Sequence, residues 1–532
     1  LNAVLIALRR AAAVCLLAGP LCAHALTIDQ MRAIAGGETD DRVLALQKAV
    51  LTGDATLAPF AQAMLDDTVK LAGDRVILYK DDKYVDAATG AEIAELPEGT
   101  EDVINSNRMA GELNSALAVL KLYSKDLADR QAAVAALKEQ VDASKLPMLE
   151  KAEAAETDVA LKVQLGLLKA AALLTSDDKT QRMAAAKLLA DSGEPATKSL
   201  LLARLAEGAE ADAQVRIQLQ LALSSVDSKL AWGERLGTFF TGASLGSILL
   251  LVALGLAITY GLMGVINMAH GELMMIGAYA TYLVQNLFRL HLPGAFDWYM
   301  LIAIPASFLT AALVGAVLER SVLRWLYGRP LESLLATWGI SLVLMQGVRT
   351  LFGAQNVQVE NPGWLSGGVA VLPNLTLPYN RLAILAFAAL VLLGVALLIS
   401  RTRLGLFVRG VTQNRRMAAC MGVNTARIDT YAFALGSGIA GLAGCALSQV
   451  GNVGPDLGQS YIVDAFMVVV TGGVGQLAGT VYAALGLGII NKILEGWSGA
   501  VLAKIMVLVL IVGFIQKRPQ GLFAMKGRSA EA

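Results

Sequence analysis

His270 and Glu272 lie two residues apart, with Asn267 just ahead of them, in a stretch otherwise made mostly of apolar residues and glycine. An imidazole and a carboxylate are costly in hydrocarbon, so both are expected to face a bundle interior or a water-filled path, where they can meet a polar solute. Gly261, Gly264 and Gly271 loosen the backbone there, and freed peptide groups are tolerable in a membrane only when buried in protein or lining a cavity. A tight turn with Glu272 capping a helix start fits the same residues. A second interruption, Thr471-Gly472-Gly473-Val474-Gly475-Gln476 with Gly479 and Thr480 behind it, follows an apolar piece, 462–471, that is too short to cross alone. Asp464 stands near the outer end of that piece. Broken helices are how many carriers build polar sites, although a flexible turn would use the same glycines. The candidate substrate path is therefore Asn267, His270, Glu272, Asp464, Thr471, Gly472, Gly473 and Gln476. No catalytic set, metal or cofactor is expected.

A third group is basic. Between 401 and 427 stand Arg401, Arg403, Arg409, Arg415, Arg416 and Arg427 with no Asp or Glu. Such a loop between membrane spans belongs in the cytoplasm, because Lys and Arg bias short loops inward. Thr412 or Asn414 can cap a short helix through Ala418, Ala419 and Met421, and Gly422 stands where a left-handed stop is wanted. A capped, basic helix with small residues on its face suits docking on a soluble motor; a solvated orientation signal is the other reading.

These groups need a membrane bundle to position them. The chain has 532 residues, 55% hydrophobic, with 44 basic and 44 acidic residues, but the average hides a division near Trp232. Beyond it, apolar segments follow at 239–263, 274–288, 300–318, 334–348, 382–399, 431–450, 462–471, 481–494 and 501–515. With the basic loop inside, Arg320, Arg324, Arg329, Lys517, Arg518, Lys526 and Arg528 also fall inside, while the outer segment 351–380 has no Lys or Arg and one acid, Glu360. A strong basic excess on a soluble fold is missing, so nucleic acid is not an expected partner.

Residues 1–25 read as a signal peptide: Arg9 and Arg10, an apolar core, and a small-residue cleavage point at Ala25. Residues 26–232 then form an exported domain and 233–532 the membrane domain. The exported part has helical stripes such as Leu113, Leu117 and Leu120, or Leu161, Leu165 and Leu168, which suggest a small helical solenoid with a short hairpin inserted at 75–79 and 84–85. It contains no His and no Cys, and pairs such as Asp177-Asp178 read as helix caps. The fold class is all-α: a polytopic bundle preceded by a mostly helical soluble domain.

Three stretches carry a family resemblance: 260–279, with Ile266-Asn267-Met268-Ala269-His270-Gly271-Glu272; 401–427, with Gln413-Asn414 and Met417 to Asn424; and 472–480, followed by Arg518-Pro519-Gln520-Gly521-Leu522-Phe523. From about Gly237 to Phe523 the chain resembles the LivH-like permeases of ABC importers for branched-chain amino acids. With a cleaved helical domain in front, it looks like the urea-importing branch. The resemblance implies a bacterial inner-membrane permease, not an enzyme, that moves urea, or alternatively a branched-chain or other amino acid. It implies a periplasmic substrate-binding protein, a second homologous permease subunit and two ABC ATPase subunits as partners. It assigns Ala418, Ala419 and Gly422 to the ATPase contact, and Arg415 and Arg416 stand where the family pattern has an acidic residue. This chain carries no Gly-x-x-x-x-Gly-Lys-Ser/Thr loop, so ATP is expected to be hydrolysed by partners. Readings from another class are a membrane-anchored receptor and a passive urea channel.

Overall fold

The structure, a computed structural model, describes residues 26–523 apart from 53–55, 81–82, 88, 90, 94–95, 98, 125, 139–144, 265 and 328. Residues 1–25, read from the sequence as a signal peptide ending at Ala25, and Lys526 and Arg528 lie outside the described residues. The chain separates into two compact units with the boundary between Lys229 and Leu230.

In the first unit α1 (Ile28–Ala35), α2 (Thr39–Thr52) and α3 (Leu57–Leu65) precede five short strands, β1 (Val69–Ala72), β2 (Arg75–Lys80), β3 (Lys83–Asp86), β4 (Glu92–Ile93) and β5 (Glu101–Asp102). The expected hairpin is β2–β3, with Tyr79 opposite Tyr84. It belongs to a larger antiparallel sheet ordered β4-β3-β2-β1-β5, because strands of two to four residues are too short to leave a period in the sequence. Then come α4 (Asn107–Lys121), α5 (Leu127–Leu137), α6 (Leu146–Ala155), α7 (Val159–Leu173), α8 (Lys179–Leu189) and α9 (Pro195–Leu205). Asp126, Asp158 and Asp178 cap α5, α7 and α8 by accepting backbone N–H groups.

The repetition in this unit lies in a clamp. Arg130 donates to both oxygens of Glu156 at 2.9 and 3.2 Å and to the Ser124 carbonyl at 3.0 Å. About 50 residues later, a typical repeat length, Arg182 donates to Glu210 at 2.9 and 3.1 Å and to the Ser176 carbonyl at 2.9 Å. Burial alone would raise both carboxyls. Arg130 and the Asp158 and Thr157 N–H groups nevertheless hold Glu156 below its usual range, and the Asp212 N–H with Arg182 does the same for Glu210.

The second unit begins within α10 (Ala213–Met263), a continuous helix. It continues with α11 (His270–His291), α12 (Tyr299–Ser321), α13 (Pro330–Phe352), the hairpin β6 (Gly368–Leu372) and β7 (Leu375–Pro378), and α14 (Tyr379–Arg401). After it come α15 (Arg403–Gln413), α16 (Arg415–Cys420), α17 (Thr425–Ser448), α18 (Leu457–Gly472), α19 (Leu477–Ser498) and α20 (Ala500–Lys517). Every expected apolar segment is helical, and among the described residues 7 helices are long and apolar enough to cross a membrane. The segment at 462–471 is longer than expected, a helix of 16 residues.

The membrane part of α10 and α17 are buried on most sides, whereas α12, α13, α14 and α20 turn apolar faces outward, as lipid requires. Lipid gives apolar helices little reason to associate, so close backbone approach has to do it. On α17 a β-carbon at Gly436 would strike the Gly255 carbonyl of α10, one at Gly441 the Ser307 carbonyl of α12, and one at Gly444 the Met274 carbonyl of α11. These three glycines make α17 the hub of the bundle.

The clamp carries a prediction with a defined pH sign. Each glutamate is stronger as an acid when folded, so its contribution is present above the unfolded value and lost as pH falls through the folded one. Glu210→Gln should cost about 1–3 kcal/mol at neutral pH and speed hydrogen exchange in 176–215 of the full chain. In the wild type the same segment should loosen only below the ordinary glutamate value of 4.5. Unchanged exchange in the variant would show that the clamp does not hold the unit.

Candidate functional site

The chain leaves α10 through Gly264, at φ +65, and re-enters a helix at His270. Peptide groups freed in between are met inside the protein. The Met268 N–H donates to Thr337 Oγ1 of α13 at 3.2 Å, and the Ala269 N–H donates to Asn267 Oδ1 at 3.1 Å. Asn267 is buried, and its Nδ2 has no partner among the described residues. His270 is wholly buried with Nε2 3.1 Å from the Val252 carbonyl, and its ring lies where a β-carbon on Gly255 would stand. It joins α11 to α10.

Glu272 points elsewhere. Its Oε1 accepts the Ser341 hydroxyl of α13 at 3.0 Å, and Oε2 has no partner among the described residues. The start of α11 has no side-chain cap, so this carboxylate is not used as one. Among the described side chains of α13 the buried ones are Ser333, Thr337 and Ser341, while Leu331, Leu335, Trp338 and Val343 are exposed. Sequence reasoning missed this hydroxyl stripe, although its spacing of four residues on an apolar helix was the signal.

The second interruption is a strapped turn. Gly473 and Gly475 adopt φ +100 and +77 between α18 and α19, and the Leu522 N–H donates to the Thr471 carbonyl at 2.8 Å. Gly521 packs on Gly473, and Gly472 lies against Gly479 with no room for a side chain on either. Thr471 Oγ1 is buried and has no partner among the described residues. The Gln476 carbonyl accepts both the N–H and the hydroxyl of Thr480 at 3.0 Å. Gly475 meets Gly261 near the end of α10, beside a cavity of about 290 Å³ lined by Ala257, Arg409, Gln413 and Leu477 among others. Asp464 pairs with Lys504 of α20 at 3.6 Å. The eight candidate path residues thus occupy separate places: Asn267 and Glu272 beside α13, His270 against α10, Thr471 to Gln476 under the C-terminal strap, and Asp464 beside α20.

The basic loop forms α15 and α16. Asn414 caps α16 by accepting the Met417 N–H at 2.9 Å. The helix stops at Gly422, φ +85, where the Gly422 N–H bonds Ala419 and the Val423 N–H bonds Ala418, a Schellman closure. Met417, Ala419, Met421, Gly422 and Arg416 are exposed, and Ala418 is half-buried. The exposure of Met417 and Met421 was not singled out from the sequence; two methionines four apart on an exposed helix suit an adaptable interface.

Arg415 is used within the bundle. It bonds Asp429 of α17, whose side chain is 2% exposed, and lies over the Tyr327 ring at 5.0 Å. The Tyr327 hydroxyl donates to Glu319 of α12 at 2.7 Å, and the Thr430 hydroxyl donates to the other Glu319 oxygen at 2.6 Å. One guanidinium therefore fastens α16 to both α17 and α12.

Arg415→Ala should leave Asp429 without its cation and lower stability by about 1–3 kcal/mol, below the range for a fully buried pair because Arg415 is partly exposed. Adding Asp429→Asn should recover part of that loss, and melting of the four proteins of the cycle measures it. Additive losses, within about 0.5 kcal/mol, would mean that the pair is not a fastening.

The profile of the family described as "Branched-chain amino acid transport system / permease component" matches residues 238–515. The chain is 28% identical over 285 residues to the high-affinity branched-chain amino acid transport system permease protein BraD of Pseudomonas aeruginosa, covering 53% of this chain and 93% of the relative. It is 28% identical over 293 residues to LivH of Escherichia coli, with the same two shares, and 27% identical over 309 residues to LivM of that organism, covering 53% of this chain and 69% of the relative. No solved structure matches. The matched span holds the helices that carry both interruptions and the fastened α16, and the chain belongs to the branched-chain amino acid transport system permease family.

Proposed function

We propose that the chain is the permease subunit of an ABC importer, seated in a bacterial inner membrane with α15 and α16 in the cytoplasm and residues 26–232 outside, after removal of 1–25. The observation that carries this reading is α16: a capped helix with a left-handed stop, exposed at Met417, Ala419 and Met421 and fastened to α12 and α17 through Arg415. A nucleotide-driven motor gripping that helix moves α17, and the bundle then favours one opening over the other. Two ABC ATPase subunits supply the energy and a periplasmic binding protein delivers the substrate. A second homologous permease completes the assembly, supported by the likeness of this one chain to both LivH and LivM.

The substrate we favour is a branched-chain or related amino acid, since BraD, LivH and LivM are named as branched-chain amino acid transport permeases. Urea, expected first from the sequence, becomes the second reading. What favours it is the first unit: BraD and LivH are matched over 93% of their length by 53% of this chain, so residues 26–229 have no counterpart in them.

In vesicles holding the full assembly, labelled leucine should accumulate only with ATP. Gly422→Pro and Arg416→Glu should cut uptake about tenfold or more while membrane insertion and ATP hydrolysis persist. Urea accumulating in place of leucine would select the second reading, uptake without ATP would make the chain a passive channel, and normal uptake in both variants would remove α16 from the coupling role.

A further inference from the structure

Glu272 is held on one side only. Oε1 takes the Ser341 hydroxyl, whereas Oε2 has no partner among the described residues although the residue is 1% exposed. Two helical turns further along the same face of α11, Tyr279 is 2% exposed and its hydroxyl also has no partner among the described residues. Its ring rests on Phe352 of α13 at 4.7 Å. Arg349 of α13 is bonded to Asp456, so the cation nearest in the sequence of that helix is already engaged. A buried carboxylate oxygen with no donor is costly, and in a membrane such a group persists where a solute uses it.

The seam suits passage. The fully buried side chains of α13 are hydroxyls, so beside Glu272 this helix offers α11 polar groups, whereas beside Tyr279 it packs through Phe352 and Val348. On the other side Gly271 and Gly458 touch backbone to backbone, which leaves the carboxylate at the seam with no bulky side chain from either position. The group that completes Glu272 must be small, must donate N–H bonds, and gains most if it carries a positive charge.

We propose that Glu272 is the subsite that takes the α-ammonium of an amino acid moving along the seam between α11 and α13, with the Tyr279 hydroxyl a further polar station on the same face. This rests on the amino-acid reading above and names the residue that enforces it. The carboxylate accepts from the ammonium through Oε2 while Ser341 keeps Oε1 in place. The Tyr279 hydroxyl, two helical turns or about 10 Å further along α11, is the next acceptor the ammonium meets on the seam. A neutral amide gains less from the charge, so the subsite discriminates by the ammonium.

The test uses the purified full chain in lipid nanodiscs and labelled leucine as the probe. Isoamylamine, which keeps the ammonium, should compete for the site, and 2-hydroxy-4-methylpentanoate, which replaces it by a hydroxyl, should compete about tenfold less well or worse. Glu272→Gln, which preserves shape and the Ser341 bond, should weaken leucine binding by about tenfold or more with an unchanged melting temperature in the absence of leucine. Equal competition by the hydroxy acid, or leucine binding unaltered in a folded Glu272→Gln protein, overturns the subsite. If that variant does not fold, the competition series on the wild type decides alone. Urea bound in place of leucine overturns the amino-acid reading itself, and binding of neither overturns the subsite.

Discussion

Backbone-to-backbone approach along α17 is the constraint on which the bundle rests. Lipid is as apolar as leucine, so the helices of the second unit gain little by burying greasy surface against one another. They associate where side chains are missing: at Gly436 against α10, Gly441 against α12 and Gly444 against α11. Because α17 has no slack at these points, displacing its N-terminal end displaces three neighbours. The pair of Arg415 and Asp429 lies at that end, and Glu319 of α12 is reached through Tyr327 and Thr430. The fastening of α16 and the packing of α11, which carries Glu272, therefore meet on one helix.

The polar residues of the membrane unit divide by what satisfies them. His270 has a backbone carbonyl for Nε2 and a glycine cradle, with Nδ1 lacking a partner among the described residues, and Thr337 serves the opened backbone of Met268. Both hold helices together. Glu272 and Tyr279 keep polar atoms without partners among the described residues, which is a poor way to stabilise a bundle and a sensible way to meet a solute. The backbone of the turn at 471–476 is held in the same way, since the segment 518–523 folds over it and supplies the Leu522 N–H, while Thr471 Oγ1 has no partner among the described residues.

Much of this was legible in the residues. Among the described residues, apolar runs marked α10 to α14 and α17 to α20, and Thr412 or Asn414 together with Gly422 marked the ends of α16. What stayed hidden depends on which face of a helix meets which neighbour. Mean apolarity treats α13 as one more span, although Ser333, Thr337 and Ser341 make its buried face hydroxylic. Arg415 reads as a surface charge until Asp429, fourteen residues away, folds under it. His270 and Glu272 are both expected from the sequence to face an interior or a water-filled path, but two residues on a helix point apart, and they serve different neighbours. In the first unit the apolar period is blurred because the repetition resides in Arg130 with Glu156 and Arg182 with Glu210.

The central claim is that motion of α16 reaches α11 through α17. Cys420 is exposed on α16 and can take a spin label, and a second label can be placed on the exposed Leu287 of α11. Distances between the two, measured by pulsed electron resonance in the assembly with its ATPase subunits, should shift between nucleotide-free and ATP-bound states in the wild type. With Arg415→Ala the shift should vanish while ATP is still hydrolysed. The same shift with and without Arg415 would contradict the account.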